Sequence, residues 1–353
     1  MRREDLDFVI RRAALAPSVH NTQPWRFTAT EHAIEVWADT DRLLGYLDPT
    51  SRQLHVSCGA AVEFARLAVR SRLGRACVVR LLPRRDEPRL LATLTIGHPE
   101  PSTPEERRLV DAMPRRHTDR GPYDGRPVPS VVMQLLREAV EERGCWLRVL
   151  DRAGDRATVT TLLCEAEHLE SEDPAYRAEL QAWTRGHVAP DGIPPAAQPD
   201  PDWVDRVSDV PLRDFSGAGR HPQAGGEGRP PMVERDTLVL LGSDADDPRS
   251  WLRAGRALGQ LLLRLTDAGL VAQPLGPVTD VPATRVRLGR ELGLVGHPQL
   301  VLRIGYGHRA PSTGRRSVDE VLAVGRRVTS WPQQRTHAAG AAEFAHHMRG
   351  VSR

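Results

Sequence analysis

Lysine is absent. All 49 Lys+Arg positions are arginine, which excludes a Walker-A phosphate loop with its Lys, a Schiff-base enzyme and a lysine general base. Asparagine occurs once, as Asn21. Isoleucine is scarce as well, the pattern of a GC-rich genome, so the one asparagine that persists marks a position to follow. The four cysteines, Cys58, Cys77, Cys145 and Cys164, stand apart with no CxxC pair, which argues against zinc and thioredoxin-type chemistry and for a reduced, cytoplasmic protein. Aromatics make up only 5% of the chain, too few for a base-stacking platform. Charge of either sign is not segregated. The net charge is +3 over 353 residues, with arginines interleaved with acids, so no nucleic-acid partner is expected. No apolar run approaches the ~18–20 residues of a membrane span. The start, Met1-Arg2-Arg3-Glu4-Asp5, lacks the apolar core of a signal peptide.

What is present reads as an α+β protein of roughly two domains. Apolar residues at helical spacing mark helices through Leu6–Ala14, Ala61–Val69, Val132–Val140, Val159–Leu169 and Leu258–Leu265. Strand candidates lie at Trp25–Thr30, Ile34–Trp37, Leu90–Ile96, Trp146–Leu150, Thr237–Leu241 and Leu300–Ile304. The chain also echoes itself. Cys58-Gly59-Ala60-Ala61 aligns with Ala254-Gly255-Arg256-Ala257, which sets Leu67 on Leu263, and Leu94-Thr95-Ile96-Gly97 aligns with Leu302-Arg303-Ile304-Gly305. This predicts two related halves, 1–112 and 113–327, meeting near Pro114. The second half carries an insertion at about 171–235, rich in Pro and Gly from Ala189 to Pro231. It reads as a lid, with Trp203, Val204, Leu212 and Phe215 to pack with, in preference to a floppy insertion. Residues 328–353 read as a mobile polar tail.

Four segments carry chemistry. Ala16-Pro17-Ser18-Val19-His20-Asn21-Thr22-Gln23-Pro24-Trp25-Arg26-Phe27 leaves a helix and enters a strand. Its hydroxyl and amide groups suit the edge of a heterocycle or polyol, although Asn can also serve as the pivot of an ordinary turn. Arg115-Arg116-His117-Thr118-Asp119-Arg120 sets guanidiniums and a hydroxyl at the spacing of a phosphate clamp; a solvated charge run is the competing reading. Gln273-Pro274-Leu275-Gly276-Pro277 exposes backbone N–H groups to a ring nitrogen, or is a plain connection. Gly314-Arg315-Arg316-Ser317 is a second candidate clamp.

In order and context these segments resemble the nitroreductase superfamily of FMN-dependent oxidoreductases. Ala16–Phe27 is similar to its APSxxNxQPWRF signature, Arg116–Arg120 to its R-x-S/T-x-R phosphate motif, and Leu292-Gly293-Leu294 through Pro298–Gly307 to its closing segment. The length, the duplication and Asp191-Gly192-Ile193-Pro194 followed by Arg213-Asp214-Phe215 resemble the Acg-like branch, in which two nitroreductase-like halves are fused. The resemblance implies a small mixed sheet covered by helices, duplicated as an internal pseudo-dimer, so that a monomer does the work of the family's homodimers. It implies FMN held by Arg116, Thr118 and Arg120 at the phosphate and ribityl chain, with Arg315 as a further phosphate ligand. Pro274, Leu275 and Gly276 would line the N5 side of the flavin, and Ser18 and Asn21 would reach it from the opposite half. Thr313 departs from the basic residue usual two positions before Arg315, and His117 is given no chemical role.

Only one composite site is complete in the sequence. The first half has only Arg2-Arg3 where the phosphate motif would be, and the second half has no Pro-Ser-x-x-Asn. One FMN per chain is therefore expected. The implied activity is hydride transfer from NADH or NADPH through FMN to a small-molecule acceptor such as a nitroaromatic or quinone. The rival is an Acg-like flavin-sequestering protein whose lid excludes substrate. A hydrolase built on Ser18 and His20 lacks both a GxSxG elbow and an acidic partner.

Overall fold

The fold is that of a computed structural model and is described for residues 1–198, 236–307 and 312–324. The expected anchors Trp203, Val204, Leu212 and Phe215, the Arg213–Phe215 segment and the 328–353 tail lie outside the described residues.

The chain opens with helix α1 (Arg3–Ala13), whose apolar face, Leu6, Val9, Ile10 and Ala13, is buried. Strands β1 (Trp25–Ala29) and β2 (Ala33–Ala38) follow, then the long helix α2 (Arg52–Leu73), β3 (Arg75–Leu81), β4 (Leu90–Pro99) and α3 (Pro104–Ala112). Thr103 opens α3 with a reciprocal capping box to Glu106. Gly74, at φ +57°, closes α2 in the left-handed conformation that glycine adopts without strain.

A second run of helices and strands follows. Helix α4 (Ser130–Glu141) leads to β5 (Trp146–Val149), α5 (Ala153–Glu172) and α6 (Pro174–Trp183). Beyond the described gap come β6 (Thr237–Ser243), α7 (Pro248–Asp267), β7 (Val271–Pro274), the short α8 (Pro277–Asp280), α9 (Pro282–Glu291) and β8 (His297–Gly305). The short α10 (Val318–Val321) and β9 (Leu322–Val324) complete the described chain.

Two separate sheets result. One has the strand order β3-β4-β2-β1-β9 and the other β5-β6-β8-β7. Read from the opposite edge, the second is β7-β8-β6-β5, the order of the first four strands of the other sheet. All pairings are antiparallel except β1 with β9, which makes the first sheet mixed. Thus β9, near the C-terminal end of the described chain, completes a sheet otherwise built by residues 25–99.

The six strand candidates are all strands. Three further strands carry weak patterns: β3 is interrupted by Arg75 and Arg80, and β7 and β9 are only four and three residues long. Alternation is clear in β6. Val239 and Leu241 join the core shared with α4 and α7, while Leu238 and Leu240 join the core shared with α5, α8 and α9.

Helices α2 and α7 cross between the two sheets. They cross at Gly59 and Gly255, the two glycines paired by the internal alignment. A Cβ on Gly59 would lie 3.0 Å from the Gly255 Cα, and one on Gly255 would lie 2.9 Å from the Gly59 Cα. Any side chain at either position forces the backbones apart.

One turn further along, Glu63 of α2 is fully buried. Its carboxylate accepts from Arg66 Nε at 2.9 Å, Arg143 at 2.9 Å, Gln260 Nε2 at 2.8 Å and Arg256 Nε at 2.8 Å. Burial alone would raise its pKa; the fields of Arg66, Arg256 and Arg143 and the Gln260 bond overcome that and hold it well below the usual carboxylate range. The group therefore contributes stability that is present above the ordinary glutamate pKa and lost as pH falls through the depressed value. Replacement Glu63→Gln leaves Arg256 without an acid partner among the described residues, while Arg66 keeps Glu106 and Arg143 keeps Glu142, and should cost about 3–5 kcal/mol at pH 7. Urea melts of the two proteins should converge as the pH is taken well below 4.5; a constant gap would show that the charge is not what Glu63 supplies.

Candidate functional site

Two adjoining cavities, of about 890 Å³ and 540 Å³ counting the space open to solvent, share part of their lining. Pro17, Ser18, His20, Thr118 and Arg120 line both. Pro274, Leu275 and Gly276 line the larger one, together with Val56, Leu258 and Leu300. Asn21, Arg116 and Arg315 line the smaller one, with His117 and Thr313. The nine residues singled out from the sequence, drawn from four segments as far apart as positions 18 and 315, therefore share one composite space.

The smaller cavity is cationic. Arg116 is buried, and its NH2 reaches only the carbonyl of Leu15, at 3.3 Å; its Nε has no partner among the described residues. Burial, with Arg315 adding repulsion, lowers its pKa to about 9. Arg315 is lowered to about 10 by burial. It donates to the Thr313 hydroxyl at 2.6 Å and to backbone carbonyls of Thr313, Gly314, Leu15 and Ala16, and its Nε too lacks a partner among the described residues. Thr313 therefore aims Arg315 by accepting from it. No carboxylate among the described residues pairs with either guanidinium. Both stay charged at pH 7, and the lowering has its cause in the burial of charge with no anion beside it.

The neighbouring Arg316 shows the contrast. It turns away from the cavity, and its NH1 pairs with Asp39 at 3.1 Å. Arg2 and Arg3, the counterparts in the first half, are more than half exposed and paired with Glu4, Asp5, Asp7 and Asp319.

The segment carrying Arg116–Arg120 is pinned to the second sheet. Thr118 bridges to Ala272, the Asp119 amide donates to the Ala272 carbonyl at 3.2 Å, and the Tyr123 hydroxyl donates to the Asp119 carbonyl at 2.9 Å. Arg303 of β8 stacks on the Tyr123 ring at 4.0 Å and donates to the Gly121 carbonyl at 2.7 Å. Nothing in the alternation of Leu302-Arg303-Ile304 announces this role.

The Ser18–Gln23 loop behaves differently from expectation. His20, Asn21 and Gln23 all have positive φ, 49°, 53° and 51°, a conformation that costs of order 1–3 kcal/mol for each such residue. The loop is held by its own side chains. The Ser18 hydroxyl accepts from the Gln23 amide at 2.9 Å, and the buried Gln23 donates to Pro190 at 2.7 Å and accepts from the Arg316 amide at 2.8 Å. Asn21 lines the cavity, but its side-chain nitrogen donates to the carbonyls of Gly192 and Gly314, each at 3.2 Å. The single asparagine thus clasps the chain around the cavity with its donor.

Residues 189–197 form the far wall. The carboxylate of Asp191 sits between Arg42 at 3.0 Å and Arg185 at 2.8 Å, and Arg120 donates to the Ala197 carbonyl at 2.7 Å.

Comparison with known proteins fits this arrangement. No family model matches the chain. It is 30% identical over 338 residues, 94% of this chain and 92% of the other, to the Mycobacterium tuberculosis protein named "Putative NAD(P)H nitroreductase Rv3131". It is also 30% identical over 324 residues, 89% and 94% of the two chains, to "Putative NAD(P)H nitroreductase acg" of the same organism. The chain belongs to the nitroreductase superfamily, in its Acg-like branch. Solved structures similar to parts of it include a nitroreductase with bound FMN from Desulfitobacterium hafniense, at 9% identity and a TM-score of 0.38 over 61% of this chain and 96% of that one. Another is the FMN-dependent nitroreductase NfnB from Mycobacterium smegmatis in complex with NADPH, at 14% identity and 0.36 over 62% and 99%.

Replacing Arg116 by alanine removes a buried, uncompensated cation. The ligand-free variant should melt at or above the wild-type temperature, because the lost charge was a cost. Its affinity for inorganic pyrophosphate should fall at least about tenfold, the worth of a charge-assisted bond. Calorimetric melting and titration together test this; a clearly lower melting temperature would mean that Arg116 is a structural residue.

Proposed function

We propose that the chain is an FMN-binding oxidoreductase that carries one flavin per chain and passes hydride from NADH or NADPH to a small acceptor such as a nitroaromatic or quinone. The observation that carries this is the pair of guanidiniums of the buried Arg116 and the half-buried Arg315, facing one cavity with no carboxylate among the described residues to neutralise them. A phosphate monoester dianion supplies what they lack. A sugar-phosphate end in the smaller cavity and a flat ring in the larger one match the division between cationic and mainly apolar walls.

Arg116 and Arg315 would bind the phosphate. Thr118 and Arg120 stand on the wall shared by both cavities, where a ribityl chain would cross, and Ser18 faces the same crossing. Pro274, Leu275 and Gly276 would flank the ring. When bound, FMN supplies the hydride chemistry, accepting from a nicotinamide and delivering to the acceptor. The chain's own contribution is to place the ring and exclude water from it with Val56, Leu258 and Leu300.

The single-site stoichiometry rests on asymmetry. Arg2 and Arg3 are spent on acids at the surface, and α4 runs into β5 through a tight turn at Gly144, φ +70°, with no loop comparable to Ser18–Gln23. The matching order of the two sheets, and the glycine pair at the helix crossing, support reading 1–112 and 113–327 as duplicated halves acting as a pseudo-dimer within a monomer. Cysteines that are all free suit the cytoplasm. Among the described residues no helix is long and apolar enough to cross a membrane.

A second reading, flavin sequestration, is favoured by one feature. Residues 189–197 are clasped over the cationic cavity by Asn21, Gln23, Arg42 and Arg120. Anaerobic addition of NADH or NADPH to the yellow protein separates the two: rapid bleaching establishes the reductase, and persistent colour establishes storage. Arg116→Ala should lose flavin on purification while Arg12→Ala, whose guanidinium lies over Phe8, keeps it. Equal flavin content in both variants, or two flavins per wild-type chain, contradicts the assignment.

A further inference from the structure

The larger cavity contains a hydrogen-bonding device that no motif announced. Gln53 lies in the first turn of α2 and lines this cavity while being almost completely buried. Its backbone N–H donates to Asp48 Oδ1 at 3.0 Å, so its position is fixed by the cap of the helix. Its side-chain nitrogen donates to Asp280 Oδ1 at 2.5 Å. Asp280 Oδ1 also accepts from Arg52 NH2, at 2.7 Å. Arg52 is itself held by the carbonyls of Thr279 and Gln299, each at 2.7 Å. A carboxylate oxygen accepts, so it fixes which end of the Gln53 amide faces it. The nitrogen is committed to Asp280, and the carbonyl oxygen is what Gln53 presents to the cavity.

Gly276 is part of the same device. A Cβ there would lie 2.7 Å from Asp280 Oδ2, so glycine leaves the carboxylate its place on the cavity wall. Val56, Leu258, Leu275 and Leu300 line the same cavity and offer no side-chain polar group, while Ser57, Gln273 and Glu167 make the rest of its wall polar. An acceptor fixed by a buried ion pair beside these apolar side chains selects a flat ring that carries an N–H at its edge, and it penalises a ring that brings nothing to donate.

We propose that Gln53 Oε1 recognises the imide N–H of the isoalloxazine, with Asp280 and Arg52 as positioning residues that hold the amide in the accepting orientation. This rests on the FMN reading above and assigns the ring's orientation within it: the imide edge faces α2, and the sugar-phosphate leaves toward Arg116 and Arg315.

The test uses the full chain and two probes, FMN and its N3-methyl analogue, with dissociation constants from flavin fluorescence. Wild type should prefer FMN by roughly tenfold or more, the worth of a hydrogen bond whose loss leaves a buried acceptor unpaired. Gln53→Ala opens space for the methyl group and removes the acceptor, so the preference should vanish. Asp280→Asn keeps the acceptor but frees the amide to turn, so the preference should fall several-fold while the protein still binds pyrophosphate at the cationic end. A wild-type protein that binds both flavins equally overturns the Gln53 assignment and leaves the FMN reading intact. Preference persisting in Gln53→Ala also overturns it. A wild-type protein that binds pyrophosphate but neither flavin overturns the FMN reading itself.

Discussion

The approach of α2 to α7 at Gly59 and Gly255 is the constraint on which the rest depends. Two helices with glycine at the crossing come close enough for backbone to touch backbone, which brings the first turn of α2 and the middle of α7 to the same cavity. Gln53 and Val56 reach it from one helix and Leu258 from the other. Glu63 then sets the register. Its counterpart under the internal alignment is Gly259, and a Cβ at Gly259 would lie 3.4 Å from that of Glu63. The acid occupies room that the second half leaves empty, so a pairing that looks symmetric in topology is asymmetric in chemistry. One buried carboxylate with arginines from three elements is a poor source of net stability, since each ion pays for desolvation, but it is a strong penalty on any shifted register.

The same asymmetry decides where the cations go. An arginine in a folded protein is normally exposed or paired, and Arg2, Arg3 and Arg316 follow that rule. Arg116 and Arg315 break it, in one place, from segments about two hundred positions apart. The fold tolerates one buried and one half-buried charge without a carboxylate partner only because other interactions hold them there: Tyr123 and Arg303 anchor the first segment, and Thr313 and the Gln23–Arg316 contact anchor the second. An energetic cost kept at one spot by so many supports is best explained by what binds there. With no lysine in the chain, any cationic side chain that meets a phosphate here would be an arginine, whose planar guanidinium can grip two oxygens at once.

Much of this was legible in the sequence, for identifiable reasons. Segments such as Ala16–Phe27 and Arg116–Arg120 concentrate several site residues within a few positions, and a short window exposes them. The long helices and the six main strands have apolar periodicities that local reading catches. Gln53, Asp280, Arg52 and Arg303 were not legible, because each is the lone contribution of its element to a contact made across the fold. Arg52 meets Asp280 over 228 positions, and nothing near either residue signals the other. The weak strands escaped for a related reason: β9 is three residues long and is a strand only because β1 lies beside it.

Asn21 shows how a residue on the cavity wall can be committed to holding that wall together. Its rarity marked it, and it does stand on the cavity wall. Yet its donor is spent on the carbonyls of Gly192 and Gly314, so it joins the 189–197 segment and the C-terminal clamp to the loop that bears it. Few other side chains could do this there. The residue must accept φ near +50°, which Asn does more readily than most, and it must offer two N–H groups on a short stem to two carbonyls at once. Aspartate has the stem but no donor, glutamine has the donor on too long a stem, and glycine has the backbone freedom alone. The demand on position 21 is thus conformational and bonding together, and it is set by the walls of the cavity before any ligand arrives.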